Sequence, residues 1–310
     1  MSQRSNARIK RTAIFSKCGF EATRPRMALL LISLKAAEIV SARTLYGFWG
    51  ALLLASAALH AQQTPENLDK LARNPVGDAV KIPLAESINF GAGPYGRTSN
   101  SLQIQPTIPF PIAEHWLLIP RISATLVAYE PEVPQAGGGS TGLGDTVATF
   151  FLTPARTRIV VWGVGPSLLI PTATNADTGA EKWGLGPSLA LVIQPSWGSI
   201  ATALQNIWSI FGNSTRTSVN QLQIETSLSY NLPHGWYLVT APTCTSDWTR
   251  ASGDRWLVPF GGGVGRTSEI AKKAVDWNIG LYSNAIRPGG QLSPKWQMSL
   301  QWTLLYPRGT

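Results

Sequence analysis

The segment KWQMSLQWTLLYP, Lys295 to Pro307, alternates with a period of two. Trp296, Met298, Leu300, Trp302, Leu304 and Tyr306 are large and apolar, and Gln297, Ser299, Gln301 and Thr303 stand between them. An extended strand points successive side chains to opposite faces, so the pattern dictates one apolar and one polar face. A soluble sandwich would bury that apolar face in a core. A membrane barrel would turn it to lipid.

The same alternation recurs along the chain. In KWGLGPSLALVIQ the residues Trp183, Leu185, Leu189, Leu191 and Ile193 oppose Gly184, Gly186, Ser188, Ala190 and Gln194, and in VNQLQIETSLSY Leu222, Ile224, Leu228 and Tyr230 oppose a Gln/Glu/Ser face. It marks twelve strands: 85–93, 100–110, 116–129, 141–152, 157–170, 182–194, 198–211, 217–230, 235–246, 254–266, 274–285 and 295–306. Most reach the roughly 9–11 residues of a tilted spanning strand, where soluble strands average about five or six. An even count returns both termini to one side of a membrane. Helical periodicity is confined to 64–72, where Pro65 follows Thr64 as a helix start. The fold class is therefore all-β: a transmembrane antiparallel barrel of about twelve strands behind a short N-terminal periplasmic segment.

The charge distribution supports an exported chain. The formal charge is +9, but residues 1–61 carry nine Lys/Arg against Glu21 and Glu38, leaving seventeen basic and fifteen acidic residues beyond. Nucleic-acid binding thereby loses its electrostatic basis. A basic stretch ending at Arg43 precedes the apolar run Leu45–Leu59 and the small-residue step to Ala61. Its length suits a signal-peptide core better than a retained anchor, and Met27 offers a later start. The expected organisation is a signal peptide over 1–61, a periplasmic segment with a short helix or plug over 62–84, and a barrel over 85–310. Cys18 falls in the removed part, so Cys244 has no disulfide partner.

Loops and tryptophans orient the barrel. PYGRTSN, EPEVPQAGGGST, PTATNADTGAE, GNSTR, SDWTRASG and NAIRPGGQLSP alternate with the shorter PIAEH, TPAR, QPSW and NLPHG; only GRTSEIAKKA departs from long outside and short inside. On that topology Trp116, Trp197, Trp236 and Trp277 fall near inward strand ends, and Trp183, Trp208, Trp248, Trp256 and Trp296 near outward ends. Two tryptophan rings are what two membrane interfaces select.

The polar face then lines the lumen. It comprises Arg121, Asp145, Lys182, Gln221, Gln223, Glu225, Asp276, Gln297 and Gln301. This mixed lining suits a narrow pore or an internal network that fills it. Gly163, Gly165, Gly184 and Gly186 point inward as a shallow patch; a bend in the wall accounts for them better than a packed plug or ligand does. GGGSTGLGD lacks the GK[ST] of a phosphate loop, and GVGPSL lacks a third dinucleotide glycine, so no cofactor is expected. His115 and His234 fall in inward turns, far apart, with no metal spacing and no reach to outer-leaflet lipid.

The chain resembles the bacterial outer-membrane proteins grouped with the MetA-type phenol-degradation proteins, also called "neuromedin U"-like transporters. The likeness rests on NPVGDAVKIPL (74–84), NFGAGP (89–94), LQIQPTIPFPI (102–112), GGGSTGLGDTVATFFLTP (137–154), WGVGPSLLIPTAT (162–174), GAEKWGLGPSLALV (179–192), NIWS (206–209) and LLYP (304–307). It implies a β-barrel and passage of small hydrophobic or aromatic compounds, with no catalytic residues to carry over. The closing strand, ending near Tyr306, resembles the signal read by the barrel-assembly machinery. The expected partners are thus outer-membrane lipid, that machinery and a small solute, with no nucleic acid. The functional reading is a channel or transporter. Its rivals are a closed structural barrel whose loops PQAGGGSTG and TNADTGAE bind surface partners and, more remotely, a lipid-modifying enzyme.

Overall fold

The computed structural model describes residues 72–307, apart from 133–136, 156–159, 271–272 and 290–292. The expected signal peptide and residues 62–71 lie outside the described residues; of the helix expected over 64–72 only Ala72 is described, and it and Arg73 are helical.

Fifteen hydrogen-bonded segments build one sheet, and three pairs of them are halves of interrupted strands, so the wall has twelve. In chain order these are β1 (Ala79–Ala92), β2 (Arg97–Ile104 and Phe110–Ala113), β3 (Trp116–Pro131), β4 (Gly139–Gly142 and Thr146–Pro154), β5 (Val160–Ile170), β6 (Lys182–Ile193), β7 (Gly198–Gly212), β8 (Asn220–Asn231), β9 (Trp236–Thr240 and Thr243–Asp247), β10 (Trp256–Ile270), β11 (Lys273–Ile286) and β12 (Trp296–Pro307). Each strand pairs antiparallel with the next, and β12 pairs with β1 from Phe90↔Trp296 to Ala79↔Pro307, which closes the barrel. Closure leaves no unpaired edge, the condition for a sheet in hydrocarbon.

Proline accounts for two of the interruptions. Pro106 and Pro109 cannot donate to the ladder, yet Thr107 still bridges Lys81 on β1 and Arg121 on β3, so β2 holds its register across the gap. Pro242 breaks β9, where its carbonyl accepts the Thr226 N–H at 3.1 Å.

Two boundaries differ from the sequence reading. The first strand begins at Ala79 rather than 85, because Lys81 and Pro83 continue the lumenal parity despite an unbroken apolar neighbourhood. The anomalous long inward turn GRTSEIAKKA is mostly strand: β10 runs to Ile270 and β11 starts at Lys273, leaving two residues between them. That hairpin therefore obeys the short-inside rule after all.

Candidate functional site

The middle of the lumen is crossed by one hydrogen-bonded chain. Arg121 on β3 reaches over the interior to Glu225 on β8, with Nη2 and Oε2 2.6 Å apart. These strands are five apart around the wall, so the ion pair spans the barrel rather than lying along it. From Glu225 the chain continues through Gln223, whose amide donates to Oε1 at 2.9 Å, and Gln205, which donates to the Gln223 carbonyl at 3.1 Å. Thr149 and Ser167 donate to the Gln205 oxygen at 3.3 and 3.2 Å. On the other side Arg121 donates to Gln105 at 3.4 Å, and Gln105 to Gln103 and Ser123. Glutamine carries both donor and acceptor, so a row of them relays polarity without placing an uncompensated charge in a closed interior. Arg121, Asp145, Gln223 and Glu225 border a cavity of about 110 Å³ with Thr149 and Gln205.

Asp145 has a second task. Its carboxylate accepts the N–H groups of Ala173 (3.2 Å) and Ala180 (2.7 Å), pinning the β5–β6 loop over the outer mouth. Arg216 braces the same loop by donating to the carbonyl oxygens of Gly179, at 2.7 Å, and Ala176.

Toward the short-turn end the chain itself enters the lumen. Residues 72–78 enter it, and Val76, 1% exposed, packs against Leu117, Ile119, Phe151, Val161, Ala190, Val192 and Ala201. A β-carbon on Gly163 would lie 3.1 Å from Val76 Cγ1, so glycine there makes room for the plug. The turn is held by Asn74, whose Oδ1 accepts Val76 N–H at 3.0 Å and whose carbonyl accepts the Lys81 ammonium. Arg73 lies 4.2 Å over the Tyr237 ring, and Tyr237 and Thr267 donate to the two oxygens of Asp276 at 2.9 and 2.7 Å. Asp276 thus belongs to the plug's support, away from the Arg121 network.

The remaining expected residues disperse. Lys182 is buried at the outer end of β6, Gln221 stands opposite Asp247 at the outer rim, Gln297 donates to Ser87 at 2.9 Å, and Gln301 to Thr303 at 3.2 Å. The four glycines form no open patch. Side-chain atoms at Gly165 and Gly186 would meet the Phe150 and Asn206 carbonyl oxygens of neighbouring strands, while Gly184 is faced by Ile207 at 2.7 Å. Close strand approach thus explains two, Ile207 covers a third, and Gly163 answers to the plug.

Gln103, Gln105, Thr149, Ser167, Gln205, Lys81 and Tyr237 were missed. The first five share the lumenal parity of their strands, so the alternation that singled out Gln221 and Gln223 could have found them. Nothing periodic marks Val76.

On the outer face, rings meet in pairs near both rims. Trp116 with Trp162, Trp197 with Tyr230 and Trp236 with Trp277 lie at the short-turn end; Trp183 with Phe211 and Trp248 with Trp256 lie at the other, where Trp208 and Trp296 are also exposed. Trp162 was not anticipated. Glu86 breaks the apolar belt: register sets it between Leu102 and Leu300, and Asn100 donates to it at 3.2 Å. His115 and His234 lie in short turns at the same end of the barrel, between β2 and β3 and between β8 and β9, and share no partner among the described residues.

No family model matches the chain, and no curated protein does. Among solved structures it is similar to the COG4313 outer membrane channel from Pseudomonas putida F1, with 16% identity over 74% of this chain and 97% of that one, at a TM-score of 0.55. The CymD monoaromatic hydrocarbon channel aligns over 80% of this chain and 92% of its own at 10% identity and a TM-score of 0.38. The closed wall, the apolar outer face and the two aromatic rims make this chain a bacterial outer-membrane β-barrel.

Proposed function

We propose that the protein is a gated outer-membrane channel for small, hydrophobic or aromatic solutes. The observation that carries this reading is the place of Val76. A single apolar side chain of the plug occupies a lumenal chamber bounded by Leu117, Ile119, Phe151 and Val161. Withdrawal of residues 72–78 would leave an apolar chamber below the polar cavity, suited to a small apolar ligand. The polar layer above it would exclude bulk ions until Arg121 and Glu225 part. The resemblance to the phenol-degradation proteins agrees with such a cargo and does not carry the argument.

The rival reading, a closed structural barrel, draws support from the same two closures. The channel reading requires them to move. The test is a pair of cysteines, Val76→Cys with Gly163→Cys, in residues 62–310 folded into vesicles. The reading expects toluene entry into vesicles to exceed that of protein-free controls, to fall when the disulfide forms and to recover on reduction. Entry unaffected by the cross-link, or equal to the control throughout, would favour the closed barrel.

A further inference from the structure

One cation stands on the lipid side of the wall at its short-turn rim. Arg266 pairs in register with Trp236 on β9 and with Trp277 on β11, so the three side chains lie side by side on the face opposite lumenal Thr267. The Arg266 guanidinium lies 5.4 Å from the Trp236 ring centre, and the two indoles meet edge-on at 5.6 Å. Arg266 is exposed. Among the described residues no carboxylate lies within 4.0 Å of it.

Depth fixes what can answer that charge. Trp236 is the first residue of β9, directly after the turn Pro233–Gly235, so Arg266 stands at the membrane–water boundary of the periplasmic side. Two residues deeper, the lipid-facing positions of β9, β10 and β11 are Leu238, Val264 and Ile279. An arginine facing hydrocarbon is costly, and one at the boundary extends toward headgroups. The anions at that level are lipid phosphates. A planar guanidinium offers them two parallel donors, and indoles prefer the same layer.

We propose that Trp236, Arg266 and Trp277 form a binding site for the phosphate group of a glycerophospholipid of the periplasmic leaflet. Trp236 holds the guanidinium by its face and leaves the fork directed outward. The site is independent of the lumen, so it stands or falls separately from the channel reading.

The test follows tryptophan emission of residues 62–310 folded in dodecyl maltoside during titration with dihexanoylphosphatidylglycerol. Dihexanoylglycerol, which has the same chains and no phosphate, and inorganic phosphate are titrated in parallel. The proposal expects a saturable change with the phospholipid alone. Arg266→Gln should weaken it by about tenfold, the loss of one charge-assisted interaction, and Arg266→Lys by less. Heat-dependent gel mobility checks that each variant is folded. Equal binding of the two dihexanoyl probes, or undiminished binding by folded Arg266→Gln, would overturn it. Inorganic phosphate acting as strongly as the phospholipid would overturn the lipid assignment. If Arg266→Gln does not fold, the comparison of probes on the unaltered protein decides.

Discussion

At the scale of single residues, the ion pair across the lumen is the interaction whose removal is easiest to read. Arg121 and Glu225 are only partly shielded, at 14% and 30% side-chain exposure, so the pair is neither a surface bridge nor a dry one. Replacing either by alanine leaves the other with amide partners alone and should cost about 1–3 kcal/mol, within the range for an unpaired polar group. The two alanine substitutions should cost less together than the sum of each, since both remove the same contact. Urea unfolding of the refolded barrel measures all four corners of that cycle. Strict additivity would mean the 2.6 Å contact contributes nothing. The sequence marked both residues as lumenal, from parity alone. It could not pair them, because parity says which face a side chain takes and not what lies opposite.

At the scale of elements, the plug and the wall assign different roles to glycines that look alike in sequence. Gly163-Val-Gly-Pro-Ser-Leu and Gly184-Leu-Gly-Pro-Ser-Leu are near repeats, yet Gly163 faces Val76 while Gly165 faces a carbonyl oxygen of the preceding strand and Gly186 one of the following strand. Gly163→Val should therefore expel residues 72–78 from the lumen and leave the barrel standing. Gly165→Val should damage the wall itself, since a backbone oxygen cannot step aside. Limited proteolysis of the refolded proteins separates the two: new cleavage within 72–78 of a heat-modifiable barrel in the first case, loss of the heat-modifiable form in the second. A resistant 72–78 in Gly163→Val would contradict the packing. The twelve strands themselves were legible because each is a local pattern; β1 was shortened in the reading because Lys81 and Pro83 look like a loop until Thr107 and β12 are seen to pair with them.

At the scale of the whole molecule, aromatic pairs at both rims fix how the barrel sits in a bilayer. Phospholipids brominated at successive acyl positions should quench tryptophan most when bromine is near the headgroups and least at the bilayer centre. Quenching strongest at the centre would place the rims wrongly. Glu86 adds a local exception: on the lipid side between Leu102 and Leu300, it is the one acid of β1 set in the apolar belt, and no alternation rule foresaw it.

By itself the sequence determined the strands, the two faces of each and the side on which the short turns gather. All three follow from a period of two residues and from turn length, which are local and survive without knowledge of neighbours. The tertiary structure decided what fills the interior. Arg121 and Glu225 are 104 residues apart, and Val76 reaches Gly163 from outside any strand. Only the closure and stagger of the sheet bring such groups together, because the circumference and shear of a barrel, not the pattern along any one strand, set which residues face one another across the lumen.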